Sequence, residues 1–239
     1  MRIIGHRGAR GEAPENTLGG FKYIHEIGIR AVEFDVRQLN DQSLIVMHDD
    51  NFIRTTGQQK PVNTCCTEDL CLFDQAHSWD SWDSVEVTPL LNQTLPLIQH
   101  FDHIEVEVKA VKNQQDAENI VIALHQYLQG FEHNAVITSF DTKIHQALKQ
   151  HQSVFRRGLL IETDLKHQGV ELALDLGCSQ IGWMNELATD EIIEATQQAQ
   201  LRTSVWTVND LKRAQTLHDL GVDGLITDFP LKMKTYFDL

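Results

Sequence analysis

Short apolar runs recur along the chain, each ended by a polar or charged residue and separated from the next by a stretch with helical spacing. Arg2–Gly5 carries Ile3 and Ile4 and stops at His6-Arg7-Gly8. That is the form of a buried parallel strand whose carboxyl end opens into a site. Gly8 and Gly11 allow a tight turn, Pro14 blocks an early helix, and Thr17 stands where it caps a helix from Leu18. Leu18, Phe21, Ile24 and Ile27 mark that helix's apolar face, and Gly28 its stop.

Ala31–Val36 predicts a second strand and Leu44–His48 a third. Only a short turn at Asn40-Asp41 joins them, too short for a parallel crossover, so they pair as an antiparallel hairpin. From Asp49 to about Val87 no period emerges, which predicts an insertion over one end of the main fold. Beyond Pro89 the alternation is regular. Strands are expected at His103–Val108, Ala135–Ser139, Arg157–Ile161, Ser179–Gly182, Thr203–Thr207 and Gly224–Ile226, with helical stretches between them. Asn209 is the expected cap of the helix from Asp210. Without the hairpin partner, the nine strands leave eight for parallel βα units. This predicts an α/β fold, a TIM (β/α)8 barrel with a hairpin extension, in one domain spanning residues 1–239.

Composition narrows the chemistry. With 20 basic and 34 acidic residues the formal net charge is −14, a field that repels nucleic acid but tolerates a small anionic substrate where cations neutralise it. No apolar run approaches the roughly 18–20 residues of a membrane span, and Met1 leads directly into a strand rather than a signal peptide. Cys65, Cys66, Cys71 and Cys178 lack zinc-type spacing and suit no disulfide framework. A cytoplasmic setting is expected.

The charged residues then fall at strand ends. Glu33 and Asp35 alternate, so both carboxylates share one face of their strand, as do Glu107 and Lys109 on another. Outward acids on an edge strand, and a surface ion pair, fit the same spacings. If the faces point inward, three carboxylates converge, and their hard oxygens suit one divalent cation, Mg²⁺ or Ca²⁺. Of twelve histidines, His6 and His48 stand apart because each ends an apolar strand. The hairpin places His48 beside Glu33, so both histidines flank the same metal position. With Arg7 and Lys109 to neutralise a phosphate, the set suits phosphodiester cleavage, one imidazole taking a proton and the other giving one. Trp206 offers an apolar wall or a core side chain. Asp141 reads as a helix cap, Gly221–Pro230 as architecture, and Cys65, Cys66 and Cys71 as plain insertion residues.

These motifs in this order, His6-Arg7-Gly8 with Glu15-Asn16-Thr17, Glu33-x-Asp35, His48-Asp49 with Arg54-Thr55-Thr56-Gly57, Glu107-x-Lys109, Ser139-Phe140, Trp206-Thr207-Val208-Asn209 and Gly221 to Pro230, resemble a glycerophosphodiester phosphodiesterase over nearly the whole chain. The resemblance implies a TIM barrel with an insertion after the His-Asp strand. It implies hydrolysis of small glycerophosphodiesters, such as glycerophosphocholine or glycerophosphoethanolamine, to glycerol 3-phosphate and an alcohol. By motif, Glu33, Asp35 and Glu107 hold the metal, and His6 and His48 are acid and base. Arg7 and Lys109 bind phosphate, and Glu15 and Asn16 complete the polar shell near His6.

Some positions depart from the family pattern. Gly19-Gly20 replaces the usual alanine and is expected to loosen its turn by roughly 1 kcal/mol per glycine. Arg10 adds charge at the site mouth where a small residue is usual, and Pro89-Leu90-Leu91 stands for proline-threonine-leucine. Two other readings remain. One is a lysophospholipase D-like relative, whose acyl chain would meet Phe73, Trp79 and Trp82 of the insertion. The other is a non-catalytic barrel that binds glycerophosphate compounds.

Overall fold

The computed structural model describes residues 1–238. The strands are β1 (Arg2–His6), β2 (Ala31–Gln38), β3 (Leu44–Val46), β4 (His103–Val108), β5 (Ala135–Ser139), β6 (Arg156–Ile161), β7 (Gln180–Met184), β8 (Arg202–Trp206) and β9 (Gly224–Thr227). Parallel pairing runs β1-β9-β8-β7-β6-β5-β4-β2, and a β1–β2 ladder closes the barrel. The helices are α1 (Leu18–Glu26), α2 (Ile53–Thr56), α3 (Leu91–Ile98), α4 (Gln114–Tyr127), α5 (Thr142–Gln150), α6 (His167–Asp175), α7 (Asp190–Gln198), α8 (Leu211–Asp219) and α9 (Pro230–Phe237). Thr17 caps α1 by accepting from Gly20 N at 2.9 Å, and Asp141 caps α5, both as expected.

Strand alternation divides the barrel into an apolar outside and a polar inside. Val32, Phe34 and Val36 point outward and are buried with Phe21 and Ile24 of α1, Phe21 meeting Phe34 edge-on at 5.7 Å. Glu33 and Asp35 therefore point inward. Because β2 lies between β1 and β4, the edge-strand alternative for these acids fails. On β4 the inward set is His103, Glu105 and Glu107. Glu105 Oε1 lies 2.9 Å from His103 Nε2 and accepts from Gln180 Nε2 at 2.8 Å, a buried polar layer beneath the site.

β3 pairs antiparallel with the end of β2, but Val36 faces Val46 and Leu39 N donates to Ser43 O. The turn thus holds three residues, Asn40-Asp41-Gln42, with Gln42 in the left-handed region at φ 69°. A three-residue hairpin closing through such a residue shifts the register by one. The ladder consequently continues as Met47 N to Asp35 O, and His48 falls level with Phe34 rather than beside Glu33.

The segment from Asp49 to Val87 contains α2 and short 3-10 turns at Val62–Thr64 and Thr67–Leu72. It buries Phe52, Val62, Cys65, Leu70 and Phe73 against Leu39, Ile45 and Met47, with Phe52 and Phe73 stacked at 3.9 Å. Apolar residues spaced for tight turns leave no helix or strand period, which is why the sequence pattern is silent here.

Gly19 and Gly20 are demanded by packing. A Cβ on Gly20 would stand 2.5 Å from the carbonyl oxygen of Pro14. One on Gly19 would stand 2.2 Å from Glu86 Oε1, where the end of the insertion docks on α1 by accepting from Gly19 N while Trp82 Nε1, also of the insertion, holds the Glu86 carboxylate. Helix propensity alone favours alanine at these positions, but backbone at Pro14 cannot yield. Gly20→Ala is therefore expected to destabilise by about 1–3 kcal/mol, a fall of roughly 2–4 °C in Tm per kcal/mol, measured by thermal unfolding. A raised Tm would show that propensity outweighs the clash.

Candidate active site

Six loops at the carboxyl ends of the strands surround a cavity of about 270 Å³. The half built on β1 to β4 presents His6, Arg7, Glu33, His48, Glu107 and Lys109. The half built on β5 to β9 presents Phe140, Leu160, Trp206 and Ile226 with Glu162, and Arg10 joins the lining from the loop after β1. Trp206 is a wall residue, meeting Phe140 edge-on at 5.3 Å while its Nε1 donates to Gly182 O at 3.1 Å. Phe73, Trp79 and Trp82 do not line this space: Phe73 is buried in the insertion's own core and Trp82 is bound to Glu86. The apolar mouth that the lysophospholipase D-like alternative requires is thus not formed by these insertion residues, and the apolar wall of the cavity comes from β5 to β9.

At the centre, Glu33, Asp35 and Glu107 bring carboxylate oxygens within 4.8 Å of one another, all buried. Arg7 turns back over them: its backbone N–H donates to Glu33 Oε2 at 3.0 Å and its Nε lies 3.3 Å from Asp35 Oδ2. Lys109 Nζ stands 2.6 Å from Asp35 Oδ1 and contacts Glu107. Three carboxyl groups thus meet two cations. Burial and the charge of Asp35 push Glu33 well up, and they push Glu107 up to about 7. Burial also raises Asp35, but Lys109 and Arg7 outweigh it and hold Asp35 ionised.

Glu33 Oε1 is buried without any hydrogen-bond partner. Asp35 Oδ1 also lacks a directed bond, its approach to Lys109 being a charge contact. An orphaned Glu33 oxygen among three converging carboxyl groups, with no sulfur or imidazole in the cluster, fits a hard divalent cation.

Both histidines are held in the same way. His6 Nδ1 lies 2.6 Å from Asp228 Oδ1, and His48 Nδ1 lies 2.6 Å from Asp49 Oδ1. Burial raises both carboxyl groups, but hydrogen bonds outweigh it and keep them low, so they only accept and each Nδ1 carries a proton. Nε2 is left to exchange protons with a ligand. Burial lowers both imidazoles below the ordinary value, His6 against the opposing pull of Asp228. The rings are therefore neutral at neutral pH, as proton acceptors must be.

Asp228 was hidden in a segment read as architecture. Its only signal is its place two residues beyond Ile226, on the inward parity of β9. Asn209 does not cap α8, a task done by Asp210. It donates instead to Asp228 Oδ2 at 2.8 Å and accepts from Asp228 N at 3.0 Å, fixing that carboxylate.

Glu15 and Asn16 do not line the cavity but lie behind it. Glu15 accepts from Arg7 Nη1 at 2.9 Å and from Arg54, and Asn16 Nδ2 donates to Asp35 Oδ2 at 2.8 Å. Burial raises Glu15, yet Arg54 and Arg7 bring it down to about 2. Arg10 reaches the same carboxylate at 3.2 Å from a partly exposed position.

The family model described as the glycerophosphoryl diester phosphodiesterase family matches residues 6–232. The chain belongs to this family. Its members hydrolyse glycerophosphodiesters to glycerol 3-phosphate and an alcohol, and the chain is an enzyme of that class. A glycerophosphodiester phosphodiesterase of Caldanaerobacter subterraneus is 27% identical over 95% of this chain and 94% of its own length. A lysophospholipase D of Rattus norvegicus is 23% identical over 99% of this chain and 86% of its own. Among solved structures, a phosphodiesterase of Oleispira antarctica in complex with the product sn-glycerol-3-phosphate superposes with a TM-score of 0.87 at 22% identity, over 100% of this chain and 97% of that one. The glycerophosphodiester phosphodiesterase of Agrobacterium tumefaciens gives 0.83 at 23%, over 98% and 99%. These structures share the barrel fold of the phosphodiesterase described above.

Asp228→Asn removes the charge that opposes burial at His6. The midpoint of His6, followed by NMR, is expected to move further down. Activity is expected to fall by about 10²-fold or more, as a misoriented imidazole would give. An unchanged midpoint with unchanged activity would show the pair to be incidental.

Proposed function

We propose that this phosphodiesterase uses His6 and His48 as its proton-transfer pair, with Glu33, Asp35 and Glu107 as ligands to one Mg²⁺ or Ca²⁺. The observation that carries the reading is the pair of Nδ1-anchored imidazoles opening on one cavity with three converging carboxylates. When bound, a divalent cation supplies positive charge against the phosphate oxygens. Arg7 and Lys109 add fixed positive charge where negative charge grows. One imidazole takes a proton from the attacking water at its bare Nε2. The other, carrying a proton on Nε2 once the anionic phosphate is in place, gives it to the oxygen of the departing alcohol. The pair thus begins and ends with one proton shared between its two Nε2 atoms. Each transfer is worth roughly 10²–10⁴ in rate.

A small glycerophosphodiester, such as glycerophosphocholine or glycerophosphoethanolamine, is the proposed substrate. Its phosphate faces the β1 to β4 half, and one flank rests on Phe140 and Trp206. A cavity of about 270 Å³ lies at the small end of ligand sites and favours this over an acylated substrate. We take the barrel and insertion as one unit, since the insertion's core is shared with β3 and the β2–β3 turn. Among the described residues no helix is long and apolar enough to cross a membrane. The cysteines are free, which supports a reducing, cytoplasmic setting.

The test is release of glycerol 3-phosphate from glycerophosphocholine by the purified protein. EDTA is expected to abolish it and Mg²⁺ or Ca²⁺ to restore it. Binding without turnover would leave the non-catalytic reading, and turnover confined to lysophospholipids would leave the other. Calorimetry provides a check independent of turnover. Protons on Glu33 and Glu107 must leave before a cation binds, so affinity is expected to rise with pH, the contribution of Glu107 falling away below about 7. A pH-independent affinity would remove Glu107 from the ligand set.

A further inference from the structure

Arg54 of α2 ties the body of the insertion to two carboxylates behind the active site, Glu15 and Asp49. Its Nη1 and Nη2 donate to the two oxygens of Glu15, each at 2.7 Å. Its Nε donates to Asp49 Oδ2 at 2.7 Å and Nη2 also to Asp49 Oδ1 at 3.2 Å. Each carboxylate has a second client: Glu15 receives Arg7 Nη1 at 2.9 Å, and Asp49 Oδ1 lies 2.6 Å from His48 Nδ1. One guanidinium thus joins the residue behind the proposed phosphate ligand to the residue behind a proposed proton carrier. Arg7 follows β1 and His48 follows β3, and their loops share no ladder.

We propose that Arg54 is a positioning residue for both Arg7 and His48, and that the insertion serves catalysis by holding it in place. The proposal rests on the roles given above to those two residues. A planar fork matches two carboxylates at once in a way an ammonium cannot. Glu15 is buried and ionised, so without Arg54 it would draw on Arg7 and Arg10 alone and Arg7 would be free to follow it. Asp49, released, would no longer fix the plane of His48. Arg54 is itself fixed from behind, because Phe52, immediately before α2, stacks on Phe73 at 3.9 Å, and Thr56 Oγ1 donates to Phe52 O at 2.7 Å. The route from insertion core to site is thus Phe73, Phe52, Arg54.

The experiment compares wild type, Arg54→Lys and Arg54→Ala by kinetics on glycerophosphocholine, thermal unfolding and NMR of the histidine rings. Displacement of reacting groups by about an ångström costs on the order of 10²-fold, so Arg54→Ala is expected to lose about that much kcat/KM. Both kcat, through His48, and KM, through Arg7, are expected to change. Arg54→Lys is expected to recover little despite its charge, and added guanidinium ion to rescue Arg54→Ala about tenfold or more. In NMR the Nδ1 proton of His48 is expected to lose its protection from exchange, while that of His6, held by Asp228, keeps it. This ring readout needs no turnover, so an inactive wild type would count against the proposed function and leave Arg54 still on trial. Full activity in Arg54→Ala, recovery by lysine, or equal loss of both histidine protons with a large fall in Tm would each overturn the proposal. The first would make the contacts idle, the second would reduce them to charge, and the third would make Arg54 a support of the whole fold.

Discussion

Three carboxylates, Glu33, Asp35 and Glu107, lie buried within 4.8 Å of one another, and their mutual repulsion governs what surrounds them. In a medium of low polarity, like charges at that range cannot all ionise without compensation. Arg7 and Lys109 keep Asp35 ionised, while Glu33 and Glu107 remain high. The protons that Glu33 and Glu107 retain, and the unpartnered Glu33 Oε1, mark the places a cation would take. An acidic protein that cleaves an anionic substrate is consistent on this basis, because the local balance, rather than the net charge of −14, meets the phosphate.

A parallel barrel can hold such a cluster because it separates two jobs by strand parity. Outward residues of β2 pack against α1, and inward ones carry the acids, so stability and chemistry are drawn from alternate positions of one strand. The strands on either side of β2 supply the rest, β1 with His6 and Arg7, β4 with Glu107 and Lys109. The opposite half contributes Phe140 and Trp206 and little charge. A substrate with one charged centre and a less polar flank matches that division.

Support behind the cavity differs for the two histidines. His6 is steadied within the barrel, by Asp228 after β9 and Asn209 after β8, which bind each other as well. His48 is steadied from outside it, by Asp49 and, through Arg54, by the insertion. Glu15 and Asn16 do similar work for Arg7 and Asp35 from the loop after β1, where Gly8 at φ 87° lets the chain turn back. Ring and guanidinium orientation at such a site thus depends on residues that do not touch the ligand.

Residue order and local periodicity by themselves determined the strands, the hairpin and which charged residues share a face, while the placing of β2 between β1 and β4 turned that face inward. Strand alternation places Glu33 with Asp35 and Glu107 with Lys109 whatever the packing outside, and an apolar run ending in histidine marks a strand's open end. What depended on distance in space was legible only in the folded chain. Asp228 is 222 positions from His6, and no spacing rule connects them. Arg54 is 39 positions from Glu15, in a segment whose apolar residues follow turns instead of a period. The left-handed Gln42 moved His48 by one place, because a hairpin's register follows its turn geometry and not the number of polar residues. Gly19 and Gly20 read as weak helix formers, yet Glu86 and the Pro14 carbonyl occupy the volume a side chain would need. Local chemistry thus determined which residues share a face. Tertiary structure turned that face to the cavity and decided which partners hold it there, since those contacts join loops that only barrel closure brings together.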